Sequence, residues 1–140
     1  RPQCAVDMFM EWAEDEDDTL TKSYFYPCLD KSRLIPEDYI ARKSGHTRGS
    51  TVDLTLFDLA SGKEVDMGAP FDWFGGESAP FYPVGGKPGM KPLTQKQHDM
   101  RMLLRKIRTD NGFRPFNSEW WHFTLADEPY PDTYFTFVLR

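Results

Sequence analysis

His46 and Asp53 stand seven positions apart in the stretch Ser44-Gly45-His46-Thr47-Arg48-Gly49-Ser50-Thr51-Val52-Asp53-Leu54-Thr55-Leu56, on either side of a glycine turn. An imidazole and a carboxylate are two of the three protein ligands a catalytic zinc site normally uses, the fourth position staying open. From Thr51 to Phe57 the alternation predicts a strand, with Val52, Leu54 and Leu56 on one face. Asp53 then shares the other face with Thr51 and Thr55. A carboxylate is costly to bury there unless something cationic meets it, and His46 can curl back over the same face. The third ligand must come from elsewhere in the chain. Ser118-Glu119-Trp120-Trp121-His122-Phe123-Thr124-Leu125 offers His122 at the start of a second alternating run, with Glu119 three residues before it. His46, Asp53 and His122 would hold the metal, leaving Glu119 free to work on a water. The chain has three histidines, and two of them fall in these stretches.

Ser44-x-His46-x-x-Gly49-x-x-x-Asp53 followed by Glu119-Trp120-Trp121-His122 resembles the motifs of the zinc D-alanyl-D-alanine dipeptidases. Arg1-Pro2-Gln3 is similar to that family's Tyr-Arg-Pro segment, Phe71-Asp72 to its Phe-Asp element, and Asp127-Glu128-Pro129-Tyr130-Pro131 to its C-terminal turn. The likeness therefore runs over nearly the whole chain. It implies one Zn2+ per chain on His46, Asp53 and His122, with Glu119 as general base and Arg1 stabilising the oxyanion. It also implies that Ser44 and Asp72 hold the substrate, Asp72 by pairing with its free ammonium group. The implied activity is hydrolysis of D-alanyl-D-alanine to D-alanine, in cell-wall precursor removal, peptidoglycan turnover or glycopeptide resistance. A D,D- or L,D-carboxypeptidase acting on longer peptidoglycan peptides is the alternative. A non-catalytic zinc-stabilised binding module is a third reading, against which Glu119 and Arg1 both argue. Two departures stand out. The chain opens at the family's arginine, without a starting Met or the helix and strands expected before it, and so reads as a fragment or a processed chain. The 75–92 loop is longer than the family's usual one, which would alter substrate range.

The elements that must position these residues are partly legible. Pro2 suits a first helical turn, and Val6, Phe9, Met10 and Ala13 form an apolar stripe at helical spacing. Phe9 is a second-choice candidate for the substrate pocket. Residues 19–43 read as loop with short helical turns. Ala60-Ser61-Gly62-Lys63 predicts a hairpin turn, with Glu64–Met67 returning as a strand. Residues 68–92 are dense in Gly and Pro, long enough for a binding or lid role. The clearest helix is 95–109, opened by the Thr94/Gln97 capping box and closed by Asn111-Gly112. Its expected buried stripe is Met100, Leu103, Leu104 and Ile107, with Arg101, Arg105, Lys106 and Arg108 solvated and His98 facing solvent. In a straight strand Glu119 points away from His122, because their offset is odd; a bend at Trp120 is required. Tyr134–Leu139 alternates as a last strand.

These elements predict an α+β fold, with helices packed on one face of a mostly antiparallel sheet and the zinc site on its concave face. At 140 residues the expectation is a single catalytic domain over 1–140. Hydrophobic residues make up 39%, which suits a globular core, and no apolar run reaches membrane-spanning length. A net charge of −5 argues against a nucleic-acid partner. The acidic run from Glu14 to Asp18 reads as a solvated helix end. A small peptide such as D-Ala-D-Ala is the expected partner. Cys4 and Cys28 can form one disulfide or be two unrelated thiols. The compartment stays open between bacterial cytoplasm and periplasm, the disulfide favouring the periplasm.

Overall fold

The computed structural model describes residues 1–137. The chain divides into two compact units, one made of Arg1–Thr51 with the C-terminal stretch from Glu128, the other of Val52–Asp127. Helix and antiparallel sheet occur together, compatible with the α+β expectation.

The first unit opens with helix α1 (Gln3–Glu14), which buries Val6, Met10 and Ala13. Phe9 is only half-buried, its ring tilted against Trp12 at 6.0 Å. Trp12 meets the fully buried Tyr26 edge-on at 5.6 Å. Helix α2 (Lys22–Phe25) and a 3-10 turn at Lys31–Arg33 follow. Lys31 explains how the acidic run is accommodated. Its buried ammonium donates to the carbonyls of Asp15 (2.6 Å) and Asp18 (2.7 Å) and lies 4.2 Å over the Trp12 ring. The C-terminal end of α1 is thereby satisfied by a cation, while the carboxylates from Glu14 to Asp17 stay in water. Cys4 and Cys28 are both free and exposed, so the disulfide that would have favoured a periplasmic home is not formed.

The second unit holds two small sheets. One has the order β1 (Thr51–Asp53), β5 (His122–Leu125), β4 (Phe113–Pro115); the other is the hairpin of β2 (Phe57–Asp58) and β3 (Lys63–Glu64). The expected strand over 51–57 is therefore broken. Its first part joins β5, and after a three-residue link its end joins the hairpin, with Gly62 (φ 67°) in the turn. The facing also differs from expectation. Val52 is 41% exposed and Thr51 is buried, so the Thr51/Asp53 face is the one turned inward. Leu54 and Leu56 do pack on the core of Met67, Leu104, Trp120, Trp121 and Phe123. Pro115 ends β4, which lies at the sheet's edge, where a residue lacking an N–H is tolerated.

Helix α3 (Gln95–Asp110) has the expected reciprocal cap: Thr94 Oγ1 accepts from the Gln97 amide, and Gln97 Oε1 accepts from the Thr94 amide. Gly112 leaves it at φ 80°, a conformation glycine adopts without penalty. Its buried face is not the expected stripe. Leu104 and Arg101 are buried, whereas Leu103 and Ile107 are more than two-fifths exposed. Arg101, expected on the solvated face, is fully buried because Nε donates to Met67 O (2.7 Å) and Nη1 to Ala79 O (2.9 Å). Burial depresses its pKa to about 10, against the pull of Asp66 and Glu77. His98 is half-buried beside Asp99 rather than fully solvated. Residues 134–137 form no strand, and the rest of the run expected over 134–139 lies outside the described residues.

Candidate metal and peptidase site

In the second unit three residues of the proposed site come together. His122 Nδ1 lies 3.2 Å from Asp53 Oδ1 and 3.2 Å from Glu119 Oε2. The odd offset between Glu119 and His122 is overcome by a turn at Trp120–Trp121, after which β5 begins at His122. That turn is pinned by backbone bonds on three successive residues. The Trp120 amide donates to Ser78 O (2.9 Å), the Leu54 amide to Trp121 O (3.1 Å) and the Phe116 amide to His122 O (3.0 Å). The two indoles, buried and edge-to-face at 5.2 Å, anchor the bend in the core.

Burial disfavours the charged form of His122, but the hydrogen bonds and charges of Asp53 and Glu119 outweigh it and push its pKa up to about 9. Without a bound metal, the two carboxylates thus favour the protonated imidazole. The same atoms suit a divalent cation. Two ligand atoms about 2.0–2.1 Å from a tetrahedral zinc stand about 3.3 Å apart, and the Asp53–His122 separation of 3.2 Å fits.

Asp72 adopts φ 54°, a left-handed conformation that Asp tolerates better than most residues. Its neighbours hold it there. Phe71 packs on Trp120 (5.2 Å) and Trp121 (6.0 Å), and Trp73 Nε1 donates to the buried Glu77 (3.1 Å). Asp72 is thus tied, through Phe71, to the pair of residues that separates Glu119 from His122. The segment that follows is not a loose surface loop at its start: Phe74, Glu77, Ser78 and Tyr82 are buried.

In the first unit His46 sits buried in a 3-10 turn, Gly45–Arg48. Ser44 caps that turn, its Oγ accepting from the His46 amide at 3.3 Å. His46 Nδ1 lies 3.2 Å from Thr51 O. A carbonyl can only accept, so this contact puts a hydrogen on Nδ1. Arg1 and His46 line one cavity of about 250 Å³, together with Thr51, Phe135 and Phe137. Phe9 does not line it, although the Arg1 guanidinium lies 5.4 Å over the Phe9 ring.

Sequence reasoning passed over Arg48. Its Nε and Nη2 grip Glu128 Oε2 and Oε1 at 2.7 and 3.0 Å, and Nη1 donates to the Tyr134 hydroxyl at 3.1 Å. The hydrogen bonds to Glu128 raise its pKa further. The one available signal was Glu128 itself, inside the Asp127–Pro131 turn; its partner lies 80 positions away.

A family model described as D-ala-D-ala dipeptidase, peptidase M15, matches residues 1–140. The chain belongs to this family of metallopeptidases. Among its relatives, a D-alanyl-D-alanine dipeptidase of Enterococcus faecalis is 42% identical, aligning with 99% of this chain and 65% of that protein. A protein of the same name from Enterococcus faecium is 39% identical over 100% of this chain and 65% of its own length. A third, from Streptomyces coelicolor, is 38% identical over 99% and 65%. The chain thus spans about 65% of the length of these M15 relatives. No helix among the described residues is long and apolar enough to cross a membrane.

Proposed function

We propose that this chain carries the catalytic part of a zinc-dependent dipeptidase that hydrolyses D-alanyl-D-alanine to D-alanine. The observation that carries the reading is the half-buried His122 with Asp53 and Glu119 each at 3.2 Å from one ring nitrogen. A purely structural role does not call for two carboxylates on one imidazole. The names of the relatives supply the substrate.

His122 Nδ1, Asp53 Oδ1 and His46 Nε2 are the proposed ligand atoms for one zinc ion, on the concave face of the sheet. When bound, zinc supplies Lewis-acid polarisation and lowers the pKa of a coordinated water toward about 7. Glu119 serves as general base and later returns the proton to the leaving amine. Arg1 donates to the oxygen on which negative charge develops, a kind of contact whose loss typically costs about 10²–10³ in rate. Asp72 pairs with the substrate's free ammonium group. Ser44 holds the His46 turn through its cap and adds a polar contact for the dipeptide. The longer 75–92 loop adjusts which peptides are accepted.

The test is D-alanine release from D-Ala-D-Ala, beside L-Ala-L-Ala and N-acetyl-D-Ala-D-Ala, with and without chelator and with Glu119→Ala. Chelator-sensitive cleavage of the free D,D-dipeptide alone is the expected result. Cleavage of the blocked peptide would move the reading to a carboxypeptidase. Zinc binding without turnover of any peptide would leave a binding module.

A further inference from the structure

We infer that Arg48 and Glu128 are positioning residues for His46, a clasp that sets where the histidine's Nε2 points. The inference rests on the proposed role of His46 as a zinc ligand. His46 sits in a 3-10 turn only four residues long, and so short a turn has few hydrogen bonds of its own to hold it still. What holds it comes from outside. The Arg48 guanidinium folds back under the turn, so close that a Cβ on Gly45 would lie 3.3 Å from Nη2 and 3.3 Å from Thr51 Oγ1. Thr51 also supplies the carbonyl that fixes the His46 tautomer. Arg48 is gripped in turn by Glu128 through two parallel bonds, with side chains only 18% and 5% exposed. A bidentate pair fixes orientation as well as distance, and at this burial solvent and salt screen it little. The Phe135 amide completes the clasp by donating to Thr47 O at 2.9 Å. His46 is therefore set between a capped start, Ser44, and a clamped end, Arg48.

Residues that orient a metal ligand from behind typically cost about 10- to 100-fold in metal affinity when changed. The experiment compares Arg48→Lys and Glu128→Gln with the parent chain and with His46→Ala. Zinc affinity is read by competition with a chromophoric chelator, ligand geometry by the visible spectrum of the Co2+-loaded chain. Unfolding of the metal-free chain is followed in parallel. Arg48→Lys keeps the charge and loses the fork, so it is the mild variant should Glu128→Gln fail to fold. The expected result is a folded Arg48→Lys chain whose zinc affinity falls about 10- to 100-fold, with an altered cobalt spectrum. A folded variant with zinc affinity within about twofold of the parent and the same cobalt spectrum would overturn the inference alone, even if its unfolding midpoint dropped. A parent chain that binds no zinc would overturn the underlying reading and this inference together.

Discussion

Glu119 Oε2 and His122 Nδ1 lie 3.2 Å apart, although a straight strand would send their side chains to opposite faces. The turn at Trp120–Trp121 makes the difference, and the bonds from the Trp120 amide to Ser78 and from the Leu54 amide to Trp121 keep it in place. The proposed base and a proposed ligand are thus coupled through one short, rigid piece of backbone.

Glu119→Gln should keep the bend and the metal but lose the base. Turnover of D-Ala-D-Ala is expected to fall about 10²- to 10⁴-fold, with zinc content, measured by elemental analysis, unchanged. Loss of zinc in the same variant would show Glu119 to be a ligand instead.

Zinc binding should release a proton. His122 is protonated in the metal-free chain up to about pH 9, and a ligand nitrogen must be neutral. Apparent zinc affinity is expected to rise about tenfold per pH unit between about pH 7 and 9 and to flatten above. Titration calorimetry in buffers of different ionisation enthalpy counts the proton.

Metal-free stability should move the opposite way. The His122 pKa is raised from 6.5 to about 9. The stabilisation is fully present below about pH 6.5 and is lost as the pH climbs through about 9. Its size is about 3 kcal/mol. Urea unfolding of chelator-treated chain at pH 6 and pH 10 measures it, and His122→Gln should flatten the difference.

Arg101 and Lys106 test the packing of α3. Arg101→Met strips the buried Met67 carbonyl and the part-buried Ala79 carbonyl of their donor and should cost about 3 kcal/mol. Lys106→Ala removes only an exposed pair with Asp110 and should change stability by no more than about 0.5 kcal/mol. Both are read by urea unfolding.

Asp72→Asn keeps a residue that tolerates the left-handed backbone while removing the charge. It should lower kcat/KM for the free dipeptide about 10- to 100-fold and leave zinc content, measured by elemental analysis, unchanged. An unchanged kcat/KM in the folded, zinc-loaded variant would remove Asp72 from ammonium recognition.

Much of this molecule was legible where the deciding interactions are local. The Thr94/Gln97 cap, the Asn111-Gly112 stop, the Gly62 turn and the spacing of His46, Gly49 and Asp53 each depend on residues within a few positions of one another. A bend at Trp120 also followed from the sequence, because two chemically linked residues stood at an odd offset. The means of making that bend did not follow, since Ser78 and Leu54 lie far away in sequence. The same holds for Arg101 and Arg48. Arg101, among other charged residues, reads as solvated until the fold brings carbonyls to it, and nothing beside Arg48 in the sequence announces its partner. Arg101 is buried because Met67 and Ala79 place carbonyls over it, and Arg48 is clamped because Glu128, 80 positions on, returns to its side. Residue types and short spacings set out the chemistry; only tertiary structure decided which charges left water, because that depends on partners no local pattern contains.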